Sequence, residues 1–424
     1  MIHYNMKYLL SLLCILILNS FAFSQWHEQA SGTNQMLSSV HFVDSLTGWV
    51  VGTEGTVLHT SDGGNTWEQQ TSNTNTDLTA VYFAGATAGC IAGASGVILW
   101  TDNGGVVWEE VNSGTTQYLQ DVFLVSDMEG WIVGGDQTIL HTTDGGLTWE
   151  TQGPGTGNYL LSVWFNDPMH GWASGSTWPT GGNHYILKTV DGGENWIEVP
   201  VPFAIYNLHK LFFLDNQRGW AFAGDPMTTT PFGQVLHTED GGDTWTDIFY
   251  EFTYYLYSGY FANDTVGWTV GSFPLGAVHK TTDGGFTWEN DSLAGSWGFI
   301  SQDICFVGRH GWIVGQGGKI YHTDSGVVTG SAETEKITNE SFFSVFPNPC
   351  RDHITLHIEL QVASKMRIEV IDPAGRNTIL SNGELPPGKH EFDLETATLR
   401  SGIHFLKVET KQFKTIEKIL VIDK

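Results

Sequence analysis

The stretch Ser61-Asp62-Gly63-Gly64-Asn65-Thr66-Trp67 constrains this chain more than any other, because it keeps returning. Full copies start at Asp144, Asp191, Asp240 and Asp283 and end at Trp149, Trp196, Trp245 and Trp288; worn copies carry Asn103 and Ser325 where the Asp should stand. Turn positions 62, 103, 144, 191, 240, 283 and 325 are 41, 41, 47, 49, 43 and 42 residues apart. A period of this size marks a repeat architecture. An Asp suits the first corner of a tight turn because its carboxylate accepts hydrogen bonds from backbone N–H groups just ahead. The two glycines can adopt the positive φ that other residues resist, and the Trp restarts an extended segment with an apolar face to bury.

Each repeat opens with an apolar strand, as in Leu37-Ser38-Ser39-Val40-His41-Phe42, and turns into Gly48-Trp49-Val50-Val51-Gly52. A third strand leads into the Asp turn and a fourth begins at its Trp. The Gly-Trp pair recurs at Trp131, Trp172, Trp220, Trp268 and Trp312, with Cys90 in that slot in repeat two. Alternation, turn residues every ten or so positions and no helical period predict an all-β chain whose repeats are four-stranded blades. Seven of them make a seven-bladed β-propeller, a ring that protects its sheet edges by closing.

The count of tryptophans predicts how the ring closes. Strands opening with this Trp begin at Trp26, Trp67, Trp108, Trp149, Trp196, Trp245 and Trp288, one step out of phase with the turns. Trp26-His27-Glu28-Gln29 resembles Trp67-Glu68-Gln69-Gln70, so the N-terminal strand is expected to complete blade seven beside the Ser325 turn.

Charge divides the chain. Residues 25–340 hold 35 Asp and Glu against 7 Lys and Arg, whereas residues 341–424 hold 11 of each. So acidic a body repels phosphate backbones and anionic lipids, which argues against nucleic-acid and membrane-surface binding. The N-terminus, with Lys7, an apolar run over residues 8–18 and the small residues Ala22 and Ser24, has the pattern of a signal peptide cut after Ser24, leaving no transmembrane segment in the mature chain. Cys90, Cys305 and Cys350 are too sparse for a disulfide framework. Beyond a polar linker come alternating strands separated by Pro, Gly and Asp turns, enough for a small C-terminal β-sandwich. The expected organisation is a signal peptide over 1–24, the propeller over 25–328, a linker over 329–341 and a final domain over 342–424.

The Asp-Gly-Gly-x-Thr-Trp turns resemble the Asp boxes, or bacterial neuraminidase repeats, of sialidase-like propellers. With the Gly-Trp-x-x-Gly strand, the unit resembles the photosystem II stability and assembly factor family. That likeness implies a propeller in which Asp62, Trp67 and their equivalents are structural, since Asp boxes lie on outer turns away from the active sites of such proteins. The C-terminal segment resembles the type IX secretion system C-terminal sorting domain, through Pro347-Asn348-Pro349, the turn ending in Gly375-Arg376 and the strand opening at Gly402. His404 departs from it where the family has Tyr. The resemblance implies delivery to the cell surface or medium, the secretion machinery as a partner, and removal of the domain afterwards.

A sialidase needs an arginine cluster to clamp the substrate carboxylate in bidentate fashion. The propeller has only Arg218 and Arg309, each just before a Gly-Trp turn; for the same reason it cannot form the arginine-rich docking patch of the assembly factors. Another glycosidase would need two facing carboxylates at the ring centre. His59, His141, His237 and His322 each stand three residues before a turn position, but in separate blades, where one metal ion cannot gather them. Neither a metal nor a cofactor is expected. Insertions between the second and third strands of repeats four and five, and nearby inter-blade connections, carry Trp178, Tyr185, Phe232, Tyr254 and Trp297. These aromatics are the candidate ligand site, for stacking on sugar rings or docking a peptide. The expected function is a secreted or surface-exposed, non-catalytic binding or scaffold propeller with a glycan or extracellular protein as ligand; a secreted glycoside hydrolase is the alternative.

Overall fold

The computed structural model describes residues 26–326 except 154–157, 177–183, 202–206, 225–232, 252–254, 273–277, 292 and 294–298, and residues 343–421 except 347–352, 361–363, 372–376, 397–398, 401 and 411–413. The chain falls into two compact units that meet in sequence between residues 328 and 329.

The first unit consists of seven antiparallel sheets of four strands, the architecture expected from the repeats. In blade 1, Leu37–Phe42, Gly48–Gly52, Val57–Thr60 and Glu68–Gln69 follow one another from the ring centre outward. The inner strands of blades 2 to 7 are Leu78–Phe83, Leu119–Leu124, Tyr159–Phe165, Asn207–Phe213, Tyr255–Phe261 and Ser301–Val307. Each packs against the next, and the last against the first. His27–Gln29 pairs antiparallel with Ile320–Thr323 and completes blade 7. Trp26 is buried there, edge-on to Phe306 at 5.8 Å. The outermost strand of the last blade is therefore the first described strand of the chain.

Blades are joined by flat aromatic stacks. The Gly-Trp tryptophan of one blade lies on the Phe at or next to the end of the next blade's inner strand: Trp49 on Phe83, Trp131 on Phe165, Trp172 on Phe213, Trp220 on Phe261, Trp268 on Phe306 and Trp312 on Phe42, with centroids 3.5 to 4.3 Å apart. The seventh seam, between blades 2 and 3, has Cys90 and Leu124 instead. The Gly preceding each Trp is required by this packing, since a Cβ at Gly48 would overlap the Phe42 ring.

The second unit has two sheets around one apolar core. Phe343–Phe346, His353–Leu360 and Gly388–Glu395 form one; Asn377–Leu385, Ser364–Ile371, Gly402–Glu409 and Lys414–Val421 form the other. Ile354, Leu356, Met366, Ile368, Leu406 and Val408 fill the space between. Buried Glu369 is held by Arg367 at 2.6 Å and Lys407 at 3.3 Å. His404 is buried, its Nε2 2.8 Å from the Arg400 carbonyl.

Candidate functional site at the ring centre

In all seven inner strands the pairing with the second strand slips by one residue near the start, as between Leu37 and Ser39 in blade 1 and Leu208 and Lys210 in blade 5. Such a bulge lets two successive residues face the same side. The bulged positions, among them Gln120, His209 and Tyr257, line the channel mouth, a cavity of about 200 Å³. The next residue in each strand forms a second layer: Ser39, Ala80, Asp121, Ser162, Lys210, Ser258 and Asp303. Two residues further lie His41, Tyr82, Phe123, Trp164, Phe212 and Tyr260, each ring 4.3 to 5.1 Å from the next. Cys305 completes this third layer, its thiol pushed up to about 12, first by burial.

The second layer is a blade-to-blade hydrogen-bond belt. Asp303 Oδ2 accepts from Ser39 Oγ at 3.0 Å and the Val40 N–H at 3.1 Å; Asp121 Oδ2 accepts from Ser162 Oγ at 2.9 Å and the Val163 N–H at 3.1 Å. Ser39 Oγ and Ser162 Oγ in turn accept the Val81 and Leu211 N–H groups of the following blades, at 3.4 and 3.2 Å. Ala80 cannot do this for blade 3, and there Asp121 Oδ1 takes the Val122 N–H of its own strand at 3.1 Å. Ser258 donates to Asp303 Oδ1 at 2.7 Å, and Lys210 Nζ reaches across the ring to Asp121 Oδ2 at 3.2 Å. Burial works against the Lys210 charge, but Asp121 and then Asp303 outweigh it and hold its pKa above the usual lysine range.

Reading alternation along single strands missed this belt. The available signal was a polar residue third or fourth from the start of the inner strand in six of seven repeats.

The Asp turns sit at the blades' outer corners. Asp62 Oδ1 accepts the Thr66 N–H at 2.9 Å and Oδ2 its hydroxyl at 2.7 Å, while Gly63 and Gly64 have φ of 73° and 86°. Asp144, Asp191, Asp240 and Asp283 repeat the arrangement. At Asp240 the Thr244 hydroxyl and then the Thr244 N–H hold the carboxyl down at about 2. Trp149 and Trp196 are half-buried against the cores beside them, Trp245 is buried, and Trp67 and Trp288 lie edge-on to Phe42 and Phe261. His59, His141, His237 and His322 each pack on the Gly-Trp indole of their own blade, 4.5 to 5.1 Å between centroids. Lys280 takes that position over Trp268 at 5.1 Å. Among the described residues no group of His, Cys, Asp and Glu is arranged to hold a metal ion.

Of the candidate ligand aromatics, Tyr185 belongs to the third strand of blade 4, His184–Thr189, opposite Gly175. Its ring is 3 % exposed in the core and its hydroxyl is 3.4 Å from the Tyr159 carbonyl. This corrects the reading of Tyr185 as a loop aromatic: the ladder continues two residues further than the Gly181-Gly182-Asn183 signal implied. Trp178, Phe232, Tyr254 and Trp297 lie outside the described residues, as do Pro347, Asn348, Pro349, Gly375, Arg376 and the N-terminal segment 1–25. Gly402 opens a described strand. The mouth carries two aromatics the sequence reading passed over, Tyr118 and Tyr257.

Seven four-stranded blades around a plugged polar channel define a β-propeller, here followed by a separate β domain. The chain belongs to the family of the photosynthesis system II assembly factor YCF48, whose model matches residues 18–115, 106–156 and 251–333. Residues 344–422 match a secretion system C-terminal sorting domain, which supports a secreted or cell-surface location. A solved YCF48 bound to D1 peptide is 19 % identical with a TM-score of 0.59, covering 72 % of this chain and 96 % of its own. YCF48 from Cyanidioschyzon merolae is 22 % identical with a TM-score of 0.57, covering 70 % and 98 %. The WD40 β-propeller domain of Doa1 is 11 % identical with a TM-score of 0.53, covering 74 % and 99 %. At these identities the likeness is one of fold. No curated protein matches the chain.

Proposed function

We propose that this protein is a secreted or cell-surface binding propeller without catalytic activity, holding a polypeptide segment or a glycan on the face that carries the inter-blade connections. The observation that carries this reading is the occupancy of the ring-centre carboxylates. Glycosidase chemistry needs one carboxyl free to donate a proton and a second free to attack or to activate water. Asp121 and Asp303 both spend their oxygens on serine hydroxyls and backbone N–H groups of the belt, and Lys210 neutralises Asp121. A family relative solved with a peptide bound favours a polypeptide ligand. Tyr118 and Tyr257 at the mouth, with Trp178, Phe232, Tyr254 and Trp297, are the proposed contact residues.

Export is proposed to run through cleavage after Ser24, recognition of residues 342–424 by the type IX machinery, and their later removal. Peptide and glycan arrays probed with the secreted chain, alongside hydrolysis assays on β-glucans, test the function. Retained peptide or glycan without turnover is the expected result; release of reducing sugar, lost in Asp121→Asn or Asp303→Asn, would establish the hydrolase instead.

A further inference from the structure

We propose that the seam between blades 2 and 3, on the face of the Asp turns, is a docking pocket for a lysine- or arginine-bearing segment of a partner polypeptide. This face lies opposite the site proposed above, and the inference does not rest on it.

The pocket exists because this seam is built differently from the other six. Cys90 and Leu124 replace the stacked Trp and Phe, and Trp100 stands where the other blades have His or Lys. Trp100 fills part of the space, lying so close over Gly146 that a Cβ there would overlap its indole. What remains is a cavity of about 340 Å³ between the two blades' turns, within the size range of ligand pockets. Trp100, Val107, Met128 and Leu147 line it; Leu147 is 73 % exposed and Met128 50 %. Asp102, Glu109 and Asp127, all exposed, and half-buried Asp144 add carboxylates to its lining. An aliphatic stem ending in a cation fits an apolar floor with carboxylates at its lip, because the stem covers apolar surface while the charge stays at the edge.

Two further observations select that occupant. Residues 26–187, which include blades 1 to 3, contain 16 Asp and Glu and no Lys or Arg, so no cation of those blades can reach the rim. The seam between blades 4 and 5 also shows an internal version of the contact. There Lys188, the cross-strand neighbour of Trp172, stretches to the next blade's Asp turn and pairs with Asp243 at 2.6 Å. At the seam between blades 2 and 3 the slot holds Trp100, and the cation has to come from outside.

The test is fluorescence anisotropy of labelled trilysine, with its side-chain-acetylated counterpart as control, on the secreted full chain. Trilysine should bind and the acetylated peptide should bind at least about tenfold more weakly. Leu147→Ser and the pair Asp102→Asn/Asp127→Asn, all at exposed side chains, should each weaken trilysine binding about threefold to fivefold. Glu54→Gln/Asp77→Asn, which removes equal charge on the opposite face, should leave it within about twofold. Absence of trilysine binding, an unchanged affinity in Leu147→Ser, or equal losses in the two charge-removing pairs would each overturn the proposal.

Discussion

The indole N–H groups of Trp26 and Trp268 converge on one oxygen, Asp291 Oδ2, each at 3.1 Å. Asp291 stands three residues after Trp288, the place held by Gln29 after Trp26 and by Gln70 after Trp67. Those glutamines do the same work at other seams: Gln29 accepts the Trp67 N–H at 3.4 Å and donates to the Gly63 carbonyl at 2.9 Å, and Gln70 accepts the Trp108 N–H at 3.0 Å. At four seams the Gly-Trp indole donates to a glycine carbonyl of the next blade's turn: Trp49 to Gly104, Trp172 to Gly241, Trp220 to Gly284 and Trp312 to Gly63. The turn at Ser325 is worn, and Asp291 serves both indoles instead.

Closure should therefore depend on this carboxylate. Asp291→Ala, which takes the acceptor from two buried indoles, is expected to cost about 1–3 kcal/mol, and Trp26→Ala about 3–5 kcal/mol. Urea unfolding of the full chain measures both. A Trp26→Ala variant as stable as the parent would mean that the closing strand does not hold the ring.

At the ring centre, Lys210→Met leaves Asp121 without its cation in a site where the carboxylate is 6 % exposed. Breaking such a pair costs about 3 kcal/mol. The double variant Asp121→Asn/Lys210→Met should recover part of that loss, since no lone charge remains. Additive losses in a double-mutant cycle would contradict the coupling.

Acid should loosen the closing seam. His322 lies between His27 and His310, Nδ1 3.1 Å from one and Nε2 3.2 Å from the other. Burial first, then those two histidines, lower its pKa to about 4 against the opposing effect of Asp324. Arg309 also faces this row beside His310, and the Lys319–Glu28 pair lies along the same closing strand. A base whose folded pKa is depressed contributes stability that is present above pH 6.5 and is lost as pH falls toward 4. Because the ring is partly exposed, the expected loss between pH 7 and 5 is about 1 kcal/mol. His322→Phe should flatten the stability profile over that window, while an unchanged slope would assign the acid sensitivity to His41 or His279, both also held near 4 by burial.

The odd seam can be rebuilt. Cys90→Trp alone forces a second indole onto space that Trp100 already uses and should lower stability by about 1–3 kcal/mol. The triple variant Cys90→Trp/Trp100→His/Leu124→Phe recreates the stack of the other six seams and should restore the melting temperature while abolishing trilysine binding.

What the sequence made legible was whatever a repeat settles locally. The Asp turn closes within seven residues, and the Gly-Trp stack needs only the neighbouring copy, so Asp62, Trp67 and Trp49 could be placed by spacing alone. Even the exchange of Trp26 into blade 7 followed from counting. The belt was not legible because its identity changes from blade to blade and each bulge breaks the alternation that single-strand reading relies on. Asp121 and Lys210 become neighbours only after the ring has curved across two blades. Tyr185 was misplaced for a smaller reason: glycines 181 and 182 suggested that the loop ran on to it, while His184 and Tyr185 already pair in the strand.

The seventh sheet also orders events in time. Among the described strands its outer one is synthesised first, yet His27 must wait for His322, close to three hundred residues later, before it finds its register. Until then blade 7 lacks its outer strand, Gln29 has no blade to belong to, and the belt contact between Asp303 and Ser39 cannot form. Pairings between such distant segments form slowly because the loop must close before any contact rewards it. A nascent chain therefore stays open through almost the whole length of its propeller and locks only when the last blade has arrived.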